Sequence, residues 1–165
     1  MTRVIGIDPG PVPGFVVLWT GEGRVSSVDV IQCTHQVAAM VFNGLLKDHG
    51  PMIVQVERFV VGRSSMRSAG PGEVTRNLIG NFQRLVTEHN TAARTTGYGP
   101  VSLLERSASQ VKPWATDVRL EAAGLLAITK GMRHAKDAAR HALFAAVKDG
   151  GLPDPLSNRF KEQNR

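Results

Sequence analysis

The chain has 165 residues, 42% of them hydrophobic and 21% charged, the profile of one ordinary globular domain with a sizeable core. Lys and Arg number 20 against 14 Asp and Glu, so a polyanion is a reasonable partner, while aromatics at 5% argue against extended base stacking as the main grip. The single cysteine excludes an internal disulfide and a cysteine zinc site, no apolar run approaches the ~20 residues of a membrane span, and Asp8 and Pro9 interrupt the first apolar stretch too early for a secretory signal, so a reducing, intracellular setting is expected.

Taken in chain order, Val4–Ile7 and Phe15–Trp19 are short apolar strands. The turn signal Gly21-Glu22-Gly23-Arg24 leads to a third strand, Val25–Ile31. His35–Asp48 carries Val37, Met40, Val41 and Leu45 at helical spacing and is stopped by Gly50-Pro51. Met52–Val56 is a fourth strand ending at Glu57. Residues 62–72, GRSSMRSAGPG, form a Gly/Ser/Arg loop before a long helix that runs to about Arg94 with Leu78, Phe82 and Leu85 on one face. Pro100–Leu104 is a fifth strand, followed by helical segments at about Thr116–Ala127 and Met132–Lys148 with Lys130-Gly131 as the hinge between them. Gly150-Gly151 ends the last helix. Three strands in a meander, then alternating helices and strands, predict an α/β fold with a five-stranded mixed sheet, antiparallel first and parallel after, flanked by helices. Residues 1–149 form the expected domain and 150–165 a flexible basic tail.

Two strands end in an acid: "VIGID" at Asp8 and "MIVQVE" at Glu57. A buried, unpaired carboxylate costs several kcal/mol, so each needs a partner. Alone, Asp8 fits a turn cap before Pro9-Gly10 as well as it fits a functional site, and Glu57 fits a strand that simply surfaces. Gly14 lets the chain return close to Asp8 without a side chain in the way. The third element is "RHAKDAARHALFAAV", in which Ala135, Ala138, Ala139, Ala142, Leu143 and Ala146 form a small-residue stripe suited to close packing on a sheet. His134 and Asp137 are three residues apart on one edge of it, although Asp137 also suits local pairing with Arg133 or His141. If the first and fourth strands are neighbours and this helix crosses their ends, Asp8, Glu57, His134 and Asp137 converge. Oxygen ligands without cysteine suit Mg²⁺ or Mn²⁺, and a pair of such ions about 4 Å apart serves phosphodiester cleavage.

"GIDPG" followed by a further glycine, an acid ending the fourth strand, and the late "KDAARHAL" helix resemble the RuvC-type Holliday junction resolvases of the ribonuclease H-like superfamily, over roughly Val4 to Val147. "ERFVVGRSS" resembles that family's catalytic glutamate and DNA-contacting loop, and "SASQVKPWA" the stretch with its catalytic lysine, here Lys112. The resemblance implies that Asp8, Glu57 and Asp137 match three of four acidic positions and that His134 stands where many members carry the fourth. A neutral imidazole ligates Mn²⁺ better than Mg²⁺, so this departure bears on metal preference. Implied too are two divalent ions per site, a homodimer nicking opposite strands of a four-way DNA junction, and Lys112 supporting the transition state. A bacterial cytoplasm or a phage-infected host would be the setting.

Arg58, Arg63 and Arg67 follow Glu57 in the Gly/Ser loop, and Arg76 lies on the next helix, placements suited to phosphate contact. Phe59 suits either a wedge at a junction crossover or the core. Lys112 and Arg119 complete the DNA-contact candidates, with Lys130 and Arg133 as further cations that spacing leaves unplaced. His35, His49, His89 and His141 are expected at the surface or in helix packing, and Trp19 and Trp114 in packing. Rival readings are a broader ribonuclease H-type or debranching nuclease for forks and flaps, and a non-catalytic module that binds branched DNA.

Overall fold

Alternation along the first strand allots side chains to two cores, one on each side of a sheet. The computed structural model describes residues 2–47, 50–60 and 69–157. The strands are β1 (Thr2–Asp8), β2 (Gly14–Gly21), β3 (Arg24–Gln32), β4 (Met52–Glu57) and β5 (Val101–Arg106). The helices are α1 (His35–Leu45), α2 (Ala69–Thr96), α3 (Ala108–Val111), α4 (Asp117–Ala122), α5 (Leu125–Ile128) and α6 (Arg133–Lys148). The sheet runs β3-β2-β1-β4-β5. Pairs β3/β2 and β2/β1 are antiparallel, and β1/β4 and β4/β5 parallel, the mixed sheet expected. The β2–β3 hairpin closes over Glu22 and Gly23, both at positive φ (53° and 75°), which is why a glycine stands there.

Ile5 and Ile7 of β1 face the core built with α1 and α2, where Phe82 stacks edge-on against Phe15 and Phe42 at 5.9 and 4.8 Å. Val4, Gly6 and Asp8 face α6. The same alternation in β4 gives Met52, Val54 and Val56 to the first core and leaves Ile53, Gln55 and Glu57 on the α6 side. Ile7 is opposite Val56 in the parallel pairing, so the next residues, Asp8 and Glu57, end adjacent strands on one face.

Helix α6 lies on that face at backbone distance. A Cβ on Gly6 would stand 2.1 Å from the Ala138 carbonyl oxygen, and one on Gly14 would stand 2.4 Å from the His134 carbonyl carbon. Ala135, Ala138, Ala139, Ala142 and Ala146 are fully buried against the sheet. Gly14 therefore has the role expected, while Gly6 has the same role without having been singled out.

Several boundaries differ from the sequence reading: α1 ends at Leu45, not Asp48, and α2 begins at Ala69, inside the expected 62–72 loop. The expected helix at 116–127 is two pieces, because Gly124 at φ +74° breaks it. Strand β5 extends to Arg106, whose guanidinium grips Asp149 through both nitrogens at 2.7 and 2.9 Å. A turn of helix, α3, follows, opened by a capping box between Ser107 and Gln110. The segment expected to be loose from residue 150 begins anchored: Leu152 is buried in the α6-side core, and Asp154 accepts from Arg119 at 3.1 Å. Residues 158–165 lie outside the described residues.

Two glycine substitutions separate close approach from helix propensity. Gly6→Ala is expected to lower unfolding free energy by about 2–3 kcal/mol through overpacking against α6. Gly80→Ala, exposed within α2 with nothing near its Cβ position, is expected to raise it by about 0.5–1 kcal/mol. Urea denaturation of the two variants checks both signs.

Candidate active site

Asp8, Glu57, His134, Asp137 and Lys112 come together at the carboxyl ends of β1 and β4. Strand register brings the first two side by side. Helix α6 supplies His134 and Asp137 from one face, and the turn after α3 supplies Lys112. The Asp8 carboxylate is 13% exposed and its Oδ2 lies 2.8 Å from His134 Nδ1. Asp137, also 13% exposed, accepts from Lys112 Nζ at 3.0 Å and from Arg140. Lys112 Nζ stands 4.0 Å from Glu57 Oε2, so one ammonium serves two carboxylates. Arg140 also reaches Asp117 at 2.6 Å, tying the site helix to α4.

Burial is the largest influence on Asp8. It pushes the carboxyl up to about 6, against the pull of the His134 hydrogen bond and with the push of the Glu57 and Asp137 charges. Burial also acts upward on Asp137, but the hydrogen bonds and charges of Lys112 and Arg140 outweigh it and hold that carboxyl below its usual range. Asp8 is thus the more readily protonated of the two aspartates, because Asp137 has two cations on it and Asp8 has one imidazole.

Among the described residues, no three His, Cys, Asp or Glu side chains already close around one point as metal ligands. Each ligand candidate is instead engaged with a neighbour. The donor set still fits a hard divalent cation: three carboxylates with one imidazole beside them and no thiolate. Asp8 is raised partly by its two acidic neighbours, and a bound cation would relieve that repulsion.

Beside the carboxylates runs a cleft of about 490 Å³, walled by Pro9, Glu57, Arg58, Phe59 and the Ser107–Ser109 turn. Arg58 is exposed at its edge, and Arg76 stacks over the half-buried Phe59 ring at 5.3 Å. A second depression, about 640 Å³ between α5 and the start of α6, contains Lys130, Arg133 and Glu121 and none of Asp8, Glu57 and Asp137. Arg119 is not drawn to the site. It is spent on Asp154, on the Trp114 carbonyl at 3.1 Å and on the Trp114 ring at 4.7 Å. Arg63, Arg67 and His49 lie outside the described residues.

One site residue escaped the sequence reading. His141, expected at the surface or in helix packing, is fully buried, with Nε2 3.1 Å from Glu57 Oε2 and Nδ1 3.0 Å from Gln55 Nε2. Two signals pointed to it. It is seven residues after His134 on the same helical face, and Gln55 is a lone amide in an apolar strand.

The element order, the mixed sheet and the crossing helix have the ribonuclease H-like fold. Two solved structures share the fold. A Thermus thermophilus RuvC in complex with a Holliday junction substrate has a TM-score of 0.56 and 20% identity, over 88% of this chain and 93% of that one. A further structure of Thermus thermophilus RuvC has a TM-score of 0.53 and 21% identity, over 93% of this chain and 99% of that one. The chain therefore has the RuvC fold over nearly its whole length, as the motifs suggested. No family model and no curated protein matches it. Among the described residues no helix is long and apolar enough to cross a membrane.

The raised Asp8 value has a measurable consequence. Its folded pKa of about 6 exceeds the ordinary 3.8, so the stability this group contributes is complete below pH 3.8 and lost as pH rises through 6. Asp8→Asn in chelator is therefore expected to be more stable than the wild type at pH 7, by up to about 3 kcal/mol, with the gain fading toward pH 4. Urea titrations across that range check it; a loss of stability at pH 7 contradicts the assignment.

Proposed function

We propose that the chain is a structure-selective endonuclease that resolves four-way DNA junctions with divalent metal ions, acting as a homodimer. The observation that carries the reading is the convergence of Asp8, Glu57 and Asp137 at the strand ends, with His134 and Lys112 beside them, beside an arginine-edged cleft. Its support from outside the chain is the shared fold with a RuvC that was solved on a Holliday junction substrate.

Asp8, Glu57 and Asp137 would hold Mg²⁺ or Mn²⁺, two per site, with His134 assisting. Bound there, such ions lower the pKa of a water and stabilise the leaving oxygen of the phosphodiester. Asp8, which feels the charges of both other acids, would be the ligand common to the two ions. Nδ1 of His134 donates to Asp8, which leaves Nε2 as its ligand atom. Asp137 holds Lys112 at the cleft, where the ammonium can offset negative charge gathering on a phosphate in the transition state. Arg58 and Arg76, with Arg63 and Arg67, supply contacts to phosphate that position without reading sequence. A two-fold symmetric junction calls for two sites at fixed spacing, which a two-fold dimer provides. Residues 1–149 would form the nuclease domain.

The decisive assay is cleavage of a labelled synthetic four-way junction with Mg²⁺ or Mn²⁺. Paired symmetric nicks are expected from the wild type and none from Asp8→Asn, which should still bind the junction. Absence of cleavage of any branched DNA with either ion would favour a binding module, and equal cleavage of flaps and forks a debranching nuclease. Lys112→Met is expected to slow cleavage by about 10²-fold under single-turnover conditions with junction affinity little changed.

A further inference from the structure

Behind Glu57 runs a buried chain of polar groups that its role as a ligand does not account for. Glu57 Oε2 meets His141 Nε2 at 3.1 Å, and His141 Nδ1 meets Gln55 Nε2 at 3.0 Å. The Gln55 Oε1 atom meets Arg106, and Arg106 is held by both oxygens of Asp149. His141 and Gln55 are each fully buried, so every polar atom there needs a defined partner.

Arg106, at the far end, sets the donor and acceptor roles along the chain. A guanidinium only donates, so the Gln55 oxygen must face Arg106 and its NH₂ must face His141. An NH₂ only donates, so His141 Nδ1 must accept through its lone pair. The imidazole then carries its proton on Nε2, aimed at Glu57. The Asp149 carboxylate holds Arg106 in place, and the Phe144 ring beneath the guanidinium at 5.3 Å supports it from the side.

The geometry points to His141 as the residue that positions Glu57: a neutral imidazole, locked by Gln55 and Arg106 as the Nε2–H tautomer, that holds Oε2 and leaves Oε1 to face a cation. The role assigned to Glu57 rests on the endonuclease reading; the tautomer does not. A carboxylate free to swing would close on Lys112, whose Nζ is already 4.0 Å from Oε2. The hydrogen bond from His141 is a fixed competitor for that oxygen. Outer partners of this kind are worth about 10–100-fold in metal affinity.

Two measurements test this. The first is a long-range ¹H–¹⁵N correlation spectrum of the metal-free wild type, in which protonated and bare ring nitrogens resonate far apart. A neutral His141 protonated at Nε2 is expected; protonation at Nδ1 overturns the proposal. The second is Mn²⁺ binding by electron paramagnetic resonance, with folding followed by circular dichroism. His141→Leu, which removes the donor, is expected to weaken Mn²⁺ binding about 10–100-fold. His141→Gln, whose amide nitrogen reaches about where Nε2 stands, is expected to restore most of it. Equal loss in both variants, or loss in neither, overturns the positioning role. A wild type that binds no Mn²⁺ at all overturns the endonuclease reading, and the imidazole spectrum then decides the His141 assignment alone.

Discussion

Helix α6 lies on β1 and β2 so closely that no side chain fits between the backbones at Gly6 and Gly14. The rest of the site depends on this contact. An ordinary helix–sheet separation would leave His134, Asp137 and His141 short of the strand ends. Glycines on the strands and alanines on the helix remove the intervening volume, and packing at interior density then holds the helix at one depth. The imidazoles of His134 and His141 reach Asp8 and Glu57 from that depth with hydrogen bonds of ordinary length, at 2.8 and 3.1 Å.

The same closeness sets an electrostatic problem. Three carboxylates are gathered in a half-buried corner, where burial disfavours their charge. The protein answers unevenly. Asp137 receives two cations, Lys112 and Arg140, and stays ionised. Glu57 receives a buried imidazole and a distant share of the ammonium. Asp8 receives one imidazole and is left protonatable. Asp8, raised by burial and by its two acidic neighbours, is where added positive charge would act most. Two of the arginines are committed within the fold: Arg106 to Asp149 and Gln55, Arg119 to Asp154 and Trp114. A basic composition therefore overstates the charge free to meet a nucleic acid.

Much of this was legible from local pattern. Strand alternation, the Glu22-Gly23 turn, the alanine stripe and the acids ending two strands all depend on residues a few positions apart, which periodicity reports directly. Gly124 was harder to recognise as a helix break, because a lone glycine in a helical pattern is usually tolerated. His141 was misplaced for a different reason. Its one sequence neighbour of note, Asp137, suggested a local pair on the helix, whereas its partner Gln55 lies 86 residues away.

By itself, then, the sequence determined the five strands and the longer helices, the alternation that turns Asp8 and Glu57 to one face of their strands, and the small residues that let α6 approach. Only the tertiary structure decided that β1 and β4 are neighbours, that His134 pairs with Asp8 and His141 with Glu57, and that Lys112 sits on Asp137. The reason is range. Those contacts join residues 126, 84 and 25 positions apart, and they exist only once strand order and helix crossing bring the ends together.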